Sequence, residues 1–224
     1  MFELYLDTAD VAQVVRFNAC MPLQGVTTNP SILAKSNIGL QLLLPALARE
    51  IGPKARFHVQ VVSTTVDTML EEAKRINALP YDMVVKVPAT EPGLAAIRQI
   101  KAQGISVLAT AIYSAQQGFL AALCGADYLA PYVNRINALG VDGIAVVADL
   151  QTLLDRHALE SKILAASFKS SQQAMAVLKL GINAITLPID IAMQMIEHPA
   201  VAPAIQQFET DWRTVFDEKR AYES

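Results

Sequence analysis

The sequence has few residues of the types that bind metals or form disulfides. It contains two cysteines, Cys20 and Cys124, and three histidines, His58, His157 and His198. Two distant cysteines do not make a disulfide framework, and no histidine pair has a metal-binding spacing such as H-E-x-x-H. We therefore expect a reduced, cytoplasmic protein without a metal ion.

Charge of one sign and long apolar runs are also scarce. The formal net charge is −3 at pH 7 and the pI is near 5.6, whereas nucleic acid or an anionic membrane surface requires a strong basic field. No apolar run approaches the roughly 18 residues that span a bilayer. The strand-like start, Phe2–Leu6, lacks the basic and apolar regions of a signal peptide. We expect neither nucleic acid nor a membrane as a partner.

Apolar residues, in contrast, make up 53% of the 224-residue chain. This fraction predicts a large core together with subunit interfaces, and hence a homo-oligomer. Eight short apolar runs end in a polar residue or proline, and segments with helical periodicity separate them. The predicted strands are Leu4–Leu6, Gly25–Thr27, Phe57–Val61, Met83–Val87, Ile105–Ala109, Tyr128–Ala130, Ile163–Ala166 and Ala184–Leu187.

Eight strand-then-helix units are typical of an α/β fold, the single-domain (β/α)8 or TIM barrel. A doubly wound open sheet is the alternative, but no G-x-G-x-x-G follows the first strand. We assign the barrel to residues 1–198, and an amphipathic helix and tail to residues 199–224. This helix could cap its own barrel or cross a neighbour, and we expect it at a subunit interface. Its apolar stripe is Val201, Ile205, Phe208, Trp212 and Val215.

Nearly every predicted strand ends in a polar side chain. The carboxyl ends of the strands form the active-site face of this fold, and residues two apart along a strand share a face. Lys86 then lies above Val84, and Ser167 above Ala165, which predicts an apolar interior beneath a polar rim. The polar residues at or after the strand ends are Asp7, Thr27, Thr28, Asn29, Gln60, Lys86, Thr110, Tyr132, Asn134, Arg135 and Ser167.

Lys86 is the one charged residue of the run Met83–Pro88, which otherwise has the composition of a buried parallel strand. Burial penalises an ammonium ion and lowers the pKa of a lysine, so that more free amine is available to attack a carbonyl. A strand-end lysine can equally extend its ammonium group to solvent. The position alone leaves both interpretations open.

The other polar residues allow structural interpretations as well. Asp7 and Asn29 suit simple hydrogen bonding at the barrel mouth, and Thr27–Ser31 also has the pattern of a capped helix start. Arg135 and Ser167 lie near the position of the fold's usual phosphate site. A lone arginine in a loop is, however, often only solvated.

Five stretches together resemble the transaldolase family, and its fructose-6-phosphate aldolase branch in particular. They are Leu6-Asp7-Thr8, Gly25–Ser31, Val85–Pro88, Ala130–Arg135 and Ala165–Ser167. The resemblance runs nearly end to end and implies a class I aldolase. Such an enzyme reversibly cleaves fructose 6-phosphate to dihydroxyacetone and glyceraldehyde 3-phosphate through a lysine Schiff base. It also implies small sugar and sugar-phosphate ligands and a cytoplasmic homo-oligomer, described in this branch as a decamer.

The resemblance implies a role for each polar residue. Lys86 would form the Schiff base, and a catalytic water would be held by Gln60, Thr110 and Tyr132. The substrate-binding residues would be Asp7, Thr27, Asn29, Asn134, Arg135 and Ser167, of which Arg135 and Ser167 would bind the acceptor phosphate. His58, one layer deeper than Gln60 on the same face, is interpreted as a core or supporting histidine. It stands where a close relative has an aromatic residue, a departure that bears on acceptor preference.

Several alternatives remain. Transaldolases, which transfer a dihydroxyacetone unit between sugar phosphates, tend to have Glu and Phe at the positions of Gln60 and Tyr132. This makes transaldolase the second choice. A non-catalytic sugar-phosphate-binding barrel would be expected to lack Lys86. A pyridoxal phosphate enzyme also uses a lysine Schiff base, but no glycine-rich phosphate loop is evident, so no cofactor is expected.

Overall fold

The computed structural model describes residues 2–224, and its strands form a closed parallel barrel in chain order. Pairing of the first strand with the last closes the sheet. The strands are β1 (Glu3–Asp7), β2 (Gly25–Thr27), β3 (Arg56–Gln60), β4 (Asp82–Pro88), β5 (Val107–Ile112), β6 (Tyr128–Pro131), β7 (Lys162–Ala165) and β8 (Ala184–Leu187). The predicted (β/α)8 TIM barrel is confirmed.

The fifth strand begins and ends later in the chain than predicted. The prediction was Ile105–Ala109, whereas β5 is Val107–Ile112. Ile105 is buried in the core but precedes the strand. Its apolar side chain therefore indicates burial and not an extended backbone. The strand continues beyond the predicted end through an irregularity, because its register against β6 shifts between Ala109 and Ile112 and Ala111 has a φ of 56°.

Helices follow the strands around the barrel. They are α1 (Val11–Asn18), α2 (Pro30–Ser36), α3 (Leu40–Ile51), α4 (Val66–Asn77), α5 (Glu91–Lys101), α6 (Ala115–Leu123), α7 (Val133–Ala138), α8 (Gly143–Arg156), α9 (Ser171–Leu178), α10 (Ile189–Ile196) and α11 (Val201–Phe216). Many begin with a side-chain cap that accepts a backbone N–H of the first turn. The caps are Asp10, Asn29, Thr65, Thr90, Ser114, Asp142 and Ser170. Because many of these helices start just after a strand, the caps also fix the loops on the active-site face.

Strand side chains alternate between the barrel interior and the layer beneath the helices. The prediction that Val84 lies inside, beneath Lys86, is confirmed. The prediction for Ser167 is wrong, because Ala165 packs in the outer layer and Leu164 points inward. The chain leaves regular strand geometry before Ser167, which has a φ of 63°. The interior cluster is Tyr5, Val84, Leu108, Tyr128, Ala130, Leu164 and Ala184.

Paired polar groups occupy the amino-terminal mouth of the barrel. Glu3 Oε2 accepts hydrogen bonds from the hydroxyls of Tyr5 at 2.6 Å and Tyr128 at 2.8 Å, and Oε1 accepts one from Lys162 Nζ at 2.6 Å. Burial opposes ionisation of Glu3, but these hydrogen bonds outweigh it and lower its pKa. Arg56 adds a hydrogen bond to the Tyr128 hydroxyl at 2.5 Å. The charges at this end are thus satisfied by one another.

The helix expected near the C-terminus is present as α11, and none of its residues is buried. Phe208 is 69% exposed and Val215 72% exposed. Trp212 packs on Phe216 with ring centroids 4.4 Å apart, and its Nε1 donates to the Lys219 carbonyl at 2.8 Å. The helix therefore presents an apolar stripe that its own barrel does not cover.

Candidate active site

A cavity of about 200 Å³ opens among the residues at the carboxyl ends of the strands. It is smaller than the pockets of about 300–1,000 Å³ that hold drug-sized ligands, so a small substrate fits it best. Seven of the ten predicted site residues line it, namely Asp7, Thr27, Asn29, Lys86, Tyr132, Arg135 and Ser167. The structure therefore brings together most of the residues that the sequence identified.

Lys86 extends from β4 into this cavity and is only 5% exposed. Its Nζ donates a hydrogen bond to the Thr28 carbonyl oxygen at 2.6 Å. Burial lowers the pKa of the Lys86 ammonium group, and the negative charge of Asp7 partly opposes this shift. A lowered pKa increases the fraction of free amine near neutral pH, which attack on a carbonyl requires. The alternative of a solvent-extended ammonium group is wrong, because the side chain is enclosed.

Asp7 and Thr27 form one polar wall with Thr186. Asp7 and Thr27 are register partners on β1 and β2, and Thr27 Oγ1 donates to Asp7 Oδ1 at 2.7 Å. Thr27 Oγ1 also lies 2.8 Å from Thr186 Oγ1 on β8. Hydrogen bonding thus links three neighbouring strands, and it presents a carboxylate and hydroxyls of the kind that bind sugar hydroxyls.

Thr28 and Asn29 each connect the end of β2 to another part of the barrel. The Thr28 N–H donates to the His58 carbonyl at 3.0 Å, which restrains the backbone of the residue whose carbonyl receives the Lys86 hydrogen bond. Asn29 Oδ1 accepts the Ile32 N–H at 2.9 Å and caps α2. Asn29 is therefore a helix cap, as its pattern suggested, and also a residue of the cavity wall.

Tyr132 and Thr110 form a hydrogen-bonded pair, with their hydroxyl oxygens 2.7 Å apart. Burial raises the pKa of the Tyr132 phenol, so the phenol stays protonated at neutral pH and can donate a hydrogen bond. Thr110 is fully buried, and Gln60 is the register partner of Lys86. Neither Thr110 nor Gln60 is among the residues that line the cavity.

Three other lining residues carry donors suited to an anion. The guanidinium carbon of Arg135 lies 4.8 Å from the centroid of the Tyr132 ring. Ser167 and Lys169 follow β7 in the next loop. Arginine, lysine and serine groups of this kind bind phosphate through charge-assisted hydrogen bonds. Asn134, also predicted, does not line the cavity, and its N–H donates to the Ser167 carbonyl at 2.7 Å.

His58 lies in the interior, as a core histidine would. It is 0% exposed, and its ring packs edge-on against Tyr5 at 4.7 Å and Tyr128 at 5.2 Å between centroids. Neither ring nitrogen has a hydrogen-bond partner among residues 2–224. Burial lowers the pKa of His58 well below its ordinary value, and the charges of Lys86 and Arg56 add to this shift. The ring is therefore neutral at physiological pH.

Sequence analysis missed Thr186, Lys169 and Asp190. Thr186 had a detectable signal, because it lies two residues after the inward-facing Ala184 and is the one polar residue of β8. Lys169 and Asp190 lie beyond their strands, so a rule based on strand ends does not reach them. The remaining lining residues are Leu108, Ala130, Leu164, Ala166, Phe168 and Pro188.

Within residues 2–224, no three side chains from His, Cys, Asp or Glu are grouped so that they could hold a metal ion. Cys20 is exposed, Cys124 is partly buried, and both are free thiols.

Over residues 2–224 no single helix has the length and apolar composition to span a membrane. The pair α2 and α3, bent by 93° where they meet, passes that test only when combined.

Comparison with known proteins identifies the family. The chain matches the sequence profile described as Transaldolase/Fructose-6-phosphate aldolase over residues 4–224. A thiamine phosphate pyrophosphorylase from Pyrococcus furiosus is similar in structure, with a TM-score of 0.56 and 18% identity over 96% of this chain and 97% of that one. A designed cube-shaped, highly porous protein cage, built by fusing symmetric oligomeric domains, has a TM-score of 0.59 and 15% identity over 96% of this chain and 78% of its own. At these identities the two structures show the fold alone. The profile match covers nearly the whole chain, and this protein belongs to the transaldolase/fructose-6-phosphate aldolase family.

Proposed function

We propose that this protein is a class I aldolase of the cytoplasm. It reversibly cleaves fructose 6-phosphate into dihydroxyacetone and glyceraldehyde 3-phosphate through a Schiff base on Lys86. The observation that carries the proposal is the buried Lys86 amine, which lines a small cavity and whose pKa is lowered by desolvation. The family, which consists of aldolases and transaldolases, supports chemistry of this class.

The first step is attack of the free Lys86 amine on the C2 carbonyl of the open-chain sugar. Loss of water from the resulting carbinolamine gives an iminium ion, which withdraws electrons from C3. The Thr28 carbonyl accepts a hydrogen bond from Nζ at 2.6 Å. It can accept the remaining N–H of the iminium in the same way, which would orient the imine relative to the Asp7 and Thr27 wall.

Cleavage then transfers the C3–C4 bond electrons to the iminium as the C4 hydroxyl gives its proton to the water that Tyr132, Thr110 and Gln60 would hold. Glyceraldehyde 3-phosphate leaves, and an enamine of dihydroxyacetone remains on Lys86. A proton must next reach C3, and a water must hydrolyse the imine to free the amine. Tyr132 is protonated at neutral pH and hydrogen-bonds Thr110. With Gln60 beside Lys86 in register, this pair is suited to hold a water for both steps.

The acceptor phosphate would bind where Arg135, Ser167 and Lys169 line the cavity; these three residues are called the anion-binding end of the cavity. Arg135 supplies a planar fork of donors, and Lys169 adds a second positive charge. The Ser167 backbone is held by the hydrogen bond from the Asn134 N–H. These groups favour a phosphorylated aldehyde over its neutral analogue.

The second candidate function is transaldolase, in which the enamine waits for another aldehyde and no ketone is released. The Tyr132–Thr110 hydroxyl pair favours the aldolase, because a phenol near the fragment offers a proton that phenylalanine would lack. Gln60 is neutral and can donate as well as accept, whereas an ionised glutamate only accepts.

We also propose that the protein is a homo-oligomer, a decamer by resemblance, in which α11 packs across a neighbouring subunit. The support is the apolar stripe of α11, which its own barrel leaves exposed.

Two measurements test the catalytic proposal. Borohydride added with dihydroxyacetone should leave a reduced adduct on the peptide that contains Lys86, and the variant Lys86→Met should show neither adduct nor turnover. Labelling of a different lysine, or turnover by Lys86→Met, would exclude the assignment. Incubation with fructose 6-phosphate alone should release free dihydroxyacetone, and a chelator should leave this activity intact. Loss of activity with the chelator, restored by a divalent metal, would indicate a class II mechanism.

A further inference from the structure

The loop Ser167–Ser170 supplies three cavity-lining residues, Ser167, Phe168 and Lys169, and begins with an uncommon backbone conformation. Ser167 has a φ of 63°, a left-handed conformation that is unfavourable for a non-glycine residue and persists only where its surroundings hold it. One restraint is the hydrogen bond from the Asn134 N–H to the Ser167 carbonyl, at 2.7 Å. A second restraint comes from Gln173, on the helix that follows the loop.

Gln173 is the third residue of α9 and joins this loop to α7. Its Oε1 accepts the Lys169 N–H at 2.8 Å, and its Nε2 donates to Asn134 Oδ1 at 3.4 Å. A backbone N–H can only donate, so Oε1 must face Lys169 and Nε2 is left for Asn134. Asn134 therefore turns its Oδ1 towards Gln173, and its Nδ2 makes no hydrogen bond within residues 2–224.

The same local sequence occurs a second time in the chain, and comparing the two copies separates helix capping from the contact with Asn134. The pattern Ser-x-Gln-Gln occurs at Ser114–Gln117 and at Ser170–Gln173, in each case at a helix start. In both copies the serine caps the helix. The last glutamine accepts the N–H of the residue before the serine, at 2.9 Å in the first copy and 2.8 Å in the second. Nε2 of Gln117 has no hydrogen-bond partner in residues 2–224, whereas Nε2 of Gln173 reaches another element. Helix capping therefore accounts for Gln117 but not for the bond to Asn134.

We propose that Gln173 is a positioning residue that fixes the anion-binding end of the cavity and thereby sets the preference for phosphorylated acceptor aldehydes. This inference rests on the proposed function. Asn134 adjoins Arg135 on α7, and Lys169 shares a loop with Ser167. The Gln173 amide therefore connects the helix that carries Arg135 to the loop that carries Ser167 and Lys169. These are the residues that would bind a phosphate monoester. Without the Gln173 amide the loop loses its side-chain link to Asn134 and the acceptor of the Lys169 N–H, and Ser167 can relax to a commoner backbone conformation. The Ser167 hydroxyl and the Lys169 ammonium group would then move away from the phosphate.

The test compares three variants. Gln173→Met keeps the side-chain length and removes both hydrogen bonds, and Gln173→Glu keeps the acceptor for the Lys169 N–H but loses the donor to Asn134. Gln172→Met, at the exposed neighbouring position, is the matched control. With dihydroxyacetone as donor, Gln173→Met should raise the KM for glyceraldehyde 3-phosphate by roughly tenfold, as loss of two ordinary hydrogen bonds predicts.

The pattern of effects decides the outcome. The kcat and the use of unphosphorylated glyceraldehyde should stay within about twofold of wild type in Gln173→Met, and Gln172→Met should be unchanged throughout. Gln173→Glu should raise this KM at least as much as Gln173→Met, because its second carboxylate oxygen would face Asn134 Oδ1 with no proton between them and its negative charge would repel the phosphate. A wild-type KM in Gln173→Glu would overturn the role of the Asn134 bond. Equal losses for both acceptors in Gln173→Met would assign Gln173 to the fold or the chemistry instead.

Binding of inorganic phosphate, measured by calorimetry, separates this inference from the proposed function. If wild type forms no carbon–carbon bond with either acceptor, the proposed function is wrong, and phosphate binding alone then judges Gln173. Weaker binding by Gln173→Met than by Gln172→Met supports the inference, and equal binding overturns it. If Gln173→Met does not fold, phosphate binding by Gln173→Glu is compared with that by Gln172→Met instead, because Gln173→Glu keeps the hydrogen bond from the Lys169 N–H.

Discussion

Replacement of Lys86 by methionine should change how stability depends on pH. Lys86 is 5% exposed, and burial lowers its pKa from the ordinary value of 10.5. In the unfolded chain the amine regains its ordinary pKa. Between the lowered folded pKa and pH 10.5 the unfolded state therefore binds more protons than the folded state, so wild-type stability rises with pH through this window. Below the window the full penalty of the buried charge is present, and above it that penalty is gone.

Lys86→Met removes this titration while keeping an unbranched side chain of similar length. A single proton gives a limiting slope of about 1.4 kcal/mol per pH unit. The stability of Lys86→Met relative to wild type should therefore fall with rising pH by up to that slope inside the window, and should be constant outside it. The lost hydrogen bond to Thr28 O shifts the whole curve by a fixed amount, about 0.5–1.5 kcal/mol. The slope, and not the offset, therefore identifies the buried amine.

The assay is urea unfolding of both proteins between pH 6 and about pH 10. The protein concentration is held fixed, because the stability of the proposed oligomer would depend on it. Lys179→Met, which removes an exposed lysine, is the control and should follow the wild-type curve. Parallel curves for wild type and Lys86→Met would mean that Lys86 titrates alike in the folded and unfolded chains. The argument for an activated nucleophile would then fail.

Three further predictions concern the acceptor, the assembly and the fate of the enamine. Arg135→Ala should weaken the use of glyceraldehyde 3-phosphate by about ten- to a hundredfold, with little effect on glyceraldehyde; equal losses would mean that Arg135 supports the fold or the chemistry. Deletion from Ala200 onward, which removes α11, should lower the oligomer mass measured by light scattering or lower the Tm, and an unchanged assembly and Tm would contradict its role at an interface. Tyr132→Phe combined with Gln60→Glu should suppress release of dihydroxyacetone from fructose 6-phosphate. If wild type itself releases none until erythrose 4-phosphate is added, the protein is a transaldolase.

The fold could be predicted because the strands of a closed parallel barrel are packed on both faces. Short apolar runs such as Ala184–Leu187 therefore stand out from the amphipathic helices between them. The failure at β5 has the same origin, since Ile105 is buried in the core whether or not it is extended. Apolar composition reports burial, whereas the strand end depends on the register shift and the positive φ of Ala111, which leave no mark in the sequence.

The site could be predicted as far as regular strand geometry reaches. Asp7, Thr27 and Lys86 lie on strands, and their parity and position place them at the cavity. Lys169 and Asp190 lie beyond their strands, where the path of the loop decides which side chains approach the cavity. The parity argument failed at Ser167 for the same reason, because its left-handed backbone breaks the alternation on which the argument depends.

The segment after β2 shows why structural and functional interpretations of one motif need not compete. Asn29 caps α2 through Oδ1, which leaves its Nδ2 donor available at the cavity wall. The cap fixes the start of the helix, and the Thr28 N–H is held by β3. The Thr28 carbonyl is therefore rigid where it accepts the Lys86 hydrogen bond. On the proposed function, an amine held by a fixed acceptor has its lone pair directed before any substrate arrives, and such preorganisation would lower the barrier to attack. The helix cap thus helps to fix the orientation of the Lys86 amine.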